Sequence, residues 1–245
     1  MTRPLQWRVP SEPAWPRLVA TSDDAWIWLT DLDAAADDDP GAPLALLSDD
    51  EQARAGRFVF DVHRNRFVAC RAALRTLLAG RLGCSPRDVR FAYGPAGKPS
   101  LAGGAGLRFN VSHSDRFALL GLAEGAELGV DIERIRTLRD LDLLADRVFS
   151  AAERESLRGV APDRKAEAFF AGWTRKEAYI KARGEGIGLL AAVEVALAPG
   201  DPPRLISVAG QPAEPDRWSI EAFAPLPGLA AAVCIEGRGR RWTPL

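Results

Sequence analysis

Three pairs of landmarks in this chain repeat at one offset. The pattern S-x-x-E stands at Ser48–Glu51 and again 102 residues on at Ser150–Glu153. Asp61 and Asp163, each placed to open the next helix, are also 102 apart, as are Phe67 and Phe169 within those helices. S-x-x-E is the form of a capping box, so each copy predicts a helix start. One register shared by a cap, a long helix and an aromatic inside it predicts two halves of one plan: helix, long helix, strands. The competing reading is chance agreement of common caps. Two similar halves packed together leave a cleft, where ligand sites gather. The expected fold is α+β, two similar α/β halves related by pseudo-twofold symmetry, with the active site between them. The halves are placed at residues 1–115 and 116–245.

Other elements follow from local pattern. "AWIWL" (25–29) reads as a strand and "LDAAADDDPGAP" (32–43) as a polar loop. A helix runs from about Asp61 to Leu82 and stops at Gly83; a second runs from about Asp163 to Arg183 and stops at Gly184. "CSPRDVRFAYG" supplies a turn and a strand. "FALLGLA" and "LGVDIERI", separated by "EGAE", read as a hairpin. Four strands with Pro/Gly turns fill the C-terminal third.

Composition narrows the function classes. A net charge of −1 argues against a general nucleic-acid binder. The charge is uneven, however: between Arg54 and Arg90 stand nine arginines against Asp61 and Asp88. That surplus is either a solvated basic helix face or a site for an anionic ligand. Three cysteines without metal-ligand spacing fit a reducing compartment and argue against structural zinc. The first fifteen residues lack the apolar core of a signal peptide, and no run approaches a membrane span. A cytoplasmic protein without membrane attachment is expected.

The residues able to carry chemistry lie in three stretches. In "GVDIER", strand alternation puts Asp131 and Glu133 on one face. Two carboxylates so close repel unless a hard divalent cation such as Mg²⁺ relieves them; an exposed strand face is the plainer alternative. In "GWTRKEAYIKARG" (172–184), Phe169, Trp173 and Ile180 form an apolar stripe. Lys176 and Glu177 lie just beyond its two edges, and Glu177 and Lys181 are i, i+4 neighbours. The chain holds only 4 lysines against 28 arginines, so lysines here suggest a task for a compact ammonium, such as gripping phosphate. In "FNVSHS", His113 stands between serines. It is a structural histidine or part of a phosphate-binding loop, not one of a serine-hydrolase triad. Lys98 sits upstream in a tight "GKPS" turn.

"FNVSHS", "GVDIE" and "WTRKEAYIK", in that order after the GKP turn, resemble the Sfp-type (surfactin-synthetase-type) 4'-phosphopantetheinyl transferases. The resemblance covers about 90 residues. It implies transfer of the 4'-phosphopantetheine arm of coenzyme A to a serine of an apo acyl or peptidyl carrier protein, releasing adenosine 3',5'-bisphosphate. Carrier domains of polyketide, non-ribosomal peptide or fatty acid synthases are the implied partners. It further implies that Asp131, Glu133 and Glu177 hold Mg²⁺, that Glu177 is the general base and that Lys181 binds the reacting phosphate. His113, Lys98 and Ser112 resemble residues at the 3'-phosphate end, and Lys176 would assist phosphate binding or hold Glu177. Arg54 and Arg64 match coenzyme A cations, which makes the first half the coenzyme A side and the second the Mg²⁺ and catalytic side. Glu51 stands where the surfactin-type enzyme has a basic residue, and Asn65 where a threonine is expected. A chain carrying both halves is expected to act as a monomer. The rival functions are a Mg²⁺-dependent phosphate-ester hydrolase and a non-catalytic coenzyme A-binding protein.

Overall fold

The computed structural model describes residues 16–34, 41–94, 97–104 and 106–245. The reading of residues 1–15 and that of the loop at 35–40 lie outside them. The first half opens with strands β1 (Arg17–Thr21) and β2 (Ala25–Asp31). It continues through α1 (Gly41–Ala45), α2 (Asp49–Ala55) and the long α3 (Asp61–Leu82). Strands β3 (Phe91–Tyr93), β4 (Pro99–Leu101), β5 (Leu107–Ser114) and β6 (Phe117–Glu124) complete it. The second half repeats the plan with β7 (Leu128–Arg134), α4 (Leu141–Val148), α5 (Ala151–Arg158) and the long α6 (Lys165–Arg183). Strands β8 (Val193–Val195) and β9 (Leu205–Val208), the single turn α7 (Glu214–Arg217), β10 (Trp218–Phe223) and β11 (Leu229–Glu236) follow. A last strand, β12 (Thr243–Pro244), returns to β1.

The repeat foreseen in the sequence is visible in the sheets. The two larger sheets run β12-β1-β2-β6-β5 and β10-β11-β7, so β2-β6-β5 and β7-β11-β10 share one order; β3-β4 and β8-β9 form two small sheets. Both capping boxes form, and both long helices end on a glycine in the left-handed region, Gly83 and Gly184.

The layers follow from alternation along the strands. On β6, Leu120 and Leu122 pack against Leu74 and Leu78 of α3, while Leu119 and Ala123 face the second sheet. There they meet Leu128, Val130 and Ile132 of β7 and Val233 and Ile235 of β11. The far face of the second sheet, with Ala232 and Cys234, packs on Ala178, Tyr179 and Ala182 of α6. The order is helix, sheet, sheet, helix, with one apolar core between the sheets. Among the described residues no helix is long and apolar enough to cross a membrane.

The expected hairpin of residues 117–135 is not formed. β6 pairs with β2 and β5, and β7 pairs with β11, so "EGAE" crosses from one sheet to the other. The two strands instead meet face to face. A Cβ at Gly121 would stand 2.7 Å from Val130 and 2.8 Å from Leu128. Two adjacent apolar runs carry no mark that separates edge pairing from face packing. The same crossing moves the seam between halves: a boundary after residue 115 would cut the β5–β6 hairpin, whose pairing continues to Glu124.

Candidate active site

β5 of the first half, β7 of the second and the end of α6 converge at this seam. Asn110, Ser112 and Ser114 alternate along β5 and address β7. Asn110 Oδ1 accepts the Val130 amide at 2.9 Å, tying the strands together where no ladder joins them. Ser112 Oγ donates to Asp131 Oδ1 at 2.7 Å and accepts from Lys181 Nζ at 2.9 Å. Lys181 Nζ in turn reaches Asp131 Oδ1 at 2.6 Å. One residue pair further, Ser114 Oγ donates to Glu133 Oε2 at 2.7 Å and accepts the Arg134 amide at 3.1 Å. Glu177 lies one helical turn before Lys181 on α6, within reach of the same point.

This cluster holds more negative charge than its surroundings offset. Asp131, Glu133 and Glu177 face one cation, Lys181; Arg136 approaches Glu133 at 3.6 Å from the exposed margin. Burial, then the neighbouring Asp131, pushes the Glu177 carboxyl above its ordinary value. Burial likewise raises Asp131 despite its contact with Lys181. Two oxygens, Asp131 Oδ2 and Glu177 Oε1, are buried and accept no hydrogen bond from the described residues. Unpartnered buried carboxylate oxygens are costly, and a hard divalent cation is the partner their chemistry favours. Among the described residues no group of three acidic, His or Cys side chains is already gathered as a metal cage. A Mg²⁺ ion here would draw on one or two of these carboxylates together with substrate phosphate oxygens, as that ion commonly does.

Other expected site residues fall elsewhere. Ser112 is buried within the cluster, where it fixes Asp131 and Lys181; neither of its bonds leaves the hydroxyl free for a distant phosphate. His113 points to the opposite face of β5, is exposed and joins none of the cluster residues, so a part in proton transfer there is not supported. Lys98 spans to the end of α6. Its ammonium donates to the Ala182 carbonyl at 2.7 Å and pairs with Glu127 at 3.0 Å, closing a helix C-terminus rather than standing free for a ligand. Arg54 stacks over Phe67 at 5.0 Å, and Arg64 pairs with Asp61 at 3.2 Å; both remain exposed. A cavity of about 490 Å³ between α1, α2 and α3 is lined by Arg64 and Asn65 and includes none of the carboxylates.

Lys176 is the clearest correction. Its side chain is fully buried, pairs with Glu153 at 2.6 Å and donates to the carbonyls of Val148 and Leu190 at 2.8 and 2.9 Å. Here two carbonyls and a carboxylate converge on one buried point, which the three donors of an ammonium satisfy. The first half solves the same problem with Arg75, buried, pairing with Glu51 at 2.5 Å and donating to the Pro86 and Val89 carbonyls. Each capping-box glutamate is thus the anchor of a buried cation on the following long helix. That explains why Glu51 is acidic, and it removes Lys176 from the site. Lys176→Met should therefore cost about 3 kcal/mol in denaturant unfolding, because Glu153 loses its cation, while coenzyme A affinity stays unchanged. A weaker coenzyme A affinity in a fully folded variant would return Lys176 to the ligand site.

The arginine surplus resolves in both ways. Arg66, Arg71, Arg75, Arg81 and Arg87 pair with carboxylates of the same half, whereas Arg57 and Arg90 make no ion pair among the described residues.

Residues 127–234 match the family model described as the 4'-phosphopantetheinyl transferase superfamily, and residues 38–124 match that of the 4'-phosphopantetheinyl transferase N-terminal region. The 4'-phosphopantetheinyl transferase HetI of a Nostoc species is 41% identical over 239 residues, covering 95% of each chain. The chain belongs to the 4'-phosphopantetheinyl transferase superfamily. The transferase AcpT of Escherichia coli (strain K12) is 41% identical over 132 residues, 54% of this chain and 64% of its own. The crystal structure of a holo-(acyl-carrier-protein) synthase from Bacillus anthracis in complex with CoA (3',5'-ADP) covers 46% of this chain and 96% of that one, at 25% identity and a TM-score of 0.37. The two matched stretches of this transferase meet between Glu124 and Glu127, at the crossing between its sheets.

Asn110 and Ser114 were not singled out from the sequence. Their signal was present: N-x-S-x-S on a strand puts three hydrogen-bonding side chains on one face.

Proposed function

We propose that this transferase uses the seam cluster to move 4'-phosphopantetheine from coenzyme A to a serine of an apo acyl or peptidyl carrier protein, acting as a Mg²⁺-dependent cytoplasmic monomer. The observation that carries the assignment of residues is the pair of unpartnered buried oxygens, Asp131 Oδ2 and Glu177 Oε1, beside an ammonium. One or two of Asp131, Glu133 and Glu177 would hold Mg²⁺, which would offset the charge on the coenzyme A pyrophosphate and on the leaving group.

The remaining roles belong to side chains. Glu177, whose carboxyl burial pushes above its ordinary value, accepts the proton of the carrier serine directly or through a water. The serine oxygen bonds to the phosphorus of the pantetheine arm as the bond to adenosine 3',5'-bisphosphate breaks. Lys181 neutralises charge on the reacting phosphate and the departing bisphosphate. Ser112 is a positioning residue, because it holds Lys181 and Asp131 in one geometry through two hydrogen bonds. The exposed His113, Arg54 and Arg64 are accessible to the nucleotide end of coenzyme A. The halves divide this work, with the nucleotide held by residues up to Glu124 and the carboxylates and catalytic helix supplied from residue 127 onward.

A hydrolase would use the same carboxylates with water in place of serine. Chromatography of the nucleotide products separates the two. Bisphosphate released in step with added apo carrier, and not without it, is the expected result; equal release without carrier would establish the hydrolase.

A further inference from the structure

We propose that Asp115 is a positioning residue, which fastens the rim of the seam so that Glu133 stays aimed into the carboxylate cluster; this rests on the transferase reading above, in which Glu133 is available to Mg²⁺. Asp115 opens the two-residue turn between β5 and β6 with a φ of 54°. Among the described residues it is the one non-glycine residue with a positive φ. The first position of so tight a turn calls for that conformation, and glycine adopts it without steric cost. An aspartate stands there instead.

Stability does not explain the aspartate. The turn is already secured by its second residue, Arg116, which pairs with Asp31 of β2. The Asp115 side chain is 38% exposed and that of its partner Arg134 63%, and exposed ion pairs contribute little to folding. Against them stands a backbone conformation that L residues avoid. What the carboxylate achieves is geometric. Its Oδ2 accepts from Arg134 Nη1 at 2.7 Å and its Oδ1 from Arg66 Nη1 at 3.2 Å. Arg66 is itself fixed, because it donates to both oxygens of Asp33 at 2.7 and 2.8 Å. One side chain thus joins α3 of the first half to the end of β7 in the second.

This fastening falls beside Glu133. Ser114 Oγ donates to Glu133 Oε2 and accepts the Arg134 amide, so residues 114 and 115 hold residues 133 and 134 by three contacts. No ladder joins β5 to β7 to do the same work. Deeper in the seam, Ser112 and Asp131 are buried and need no such help. Glu133 is 24% exposed against 5% for Asp131, so water competes for its bond to Ser114. Asp115 keeps the turn against β7 and thereby keeps that bond closed. A carboxylate oriented in advance by its hydrogen-bond partner binds a metal more tightly than one left to turn.

The test is calorimetric titration of Mg²⁺ into the coenzyme A complex of the wild type, Asp115→Gly, Arg134→Leu and the double variant, beside steady-state transfer with Mg²⁺ varied. Asp115→Gly is expected to unfold at or above the wild-type denaturant midpoint, since glycine relieves the turn, and yet to bind Mg²⁺ about tenfold more weakly. The Mg²⁺ concentration for half-maximal rate should rise in step, with kcat at saturating Mg²⁺ near the wild-type value. Arg134→Leu should behave alike, and the double variant should be no worse than either single one, because all three break one link. Wild-type Mg²⁺ affinity in Asp115→Gly overturns the proposal, and so does a double variant weakened by the product of the two single effects. The transferase reading fails separately, in a wild type that binds Mg²⁺ and coenzyme A but modifies no carrier, and the variants' Mg²⁺ affinities still decide the role of Asp115. A wild type that binds no Mg²⁺ overturns both.

Discussion

Glu177→Gln is expected to transfer at least about a thousandfold more slowly, within the range lost with a general base. The same variant should be more stable. Burial and Asp131 hold the Glu177 carboxyl above its ordinary 4.5 in the folded protein. A group raised in this way contributes stability that is fully present below the unfolded value near 4.5 and is lost as pH rises through the folded value. At neutral pH the ionised carboxylate is therefore a cost to the free protein, which a neutral glutamine of the same shape removes. Denaturant titration should show Glu177→Gln gaining roughly 0.5–2 kcal/mol at pH 7, a gap that closes toward pH 4.5. Wild-type kcat/KM should fall as pH drops through the raised Glu177 pKa. An inactive variant that is no more stable than wild type at pH 7 would mean that the buried charge is already compensated; an active one would mean that another group is the base.

Gly129→Ala is expected to abolish the fold rather than the chemistry. Gly129 lies on β7 against α6, where an added Cβ would fall 2.1 Å from the Ala178 carbonyl oxygen and 2.3 Å from the Ala182 amide nitrogen. Both are backbone atoms of one helix and cannot swing aside as a side chain does. Relief requires β7 and α6 to separate, and these two elements carry Asp131, Glu133, Glu177 and Lys181. Insoluble expression, or a loss exceeding about 4 kcal/mol in denaturant unfolding, is the expected outcome. A soluble Gly129→Ala protein with wild-type stability would show that strand and helix stand further apart than described. Gly121 is less demanding, because its neighbours are the side-chain ends of Val130 and Leu128.

The sequence carried the site better than it carried the roles of its lysines. The 102-residue register anticipated two halves because caps, long helices and their terminal glycines are set by local chemistry. Strand alternation placed Asp131 and Glu133 together, and helical spacing placed Glu177 near Lys181. Lys176 was misassigned because residue spacing gives direction but not surroundings. What makes that lysine structural is Glu153 with the carbonyls of Val148 and Leu190, three groups distant in sequence. Lys98 failed for the same reason, since its partner is the end of a helix 84 residues away. The hairpin failed because face packing of β6 on β7 depends on which sheet each strand joins. β1 and α4 were not anticipated; the short run "RLVAT" and the stretch after Arg134 were left unread.

The most direct measurement is the intact mass of an apo acyl carrier protein after incubation with this protein and coenzyme A, with and without a chelator. The expected result is a gain of one phosphopantetheine arm on the carrier, lost when Mg²⁺ is withdrawn and restored when it is added back. An unmodified carrier in the presence of Mg²⁺, across several unrelated carriers, or full modification in excess chelator, would contradict the account.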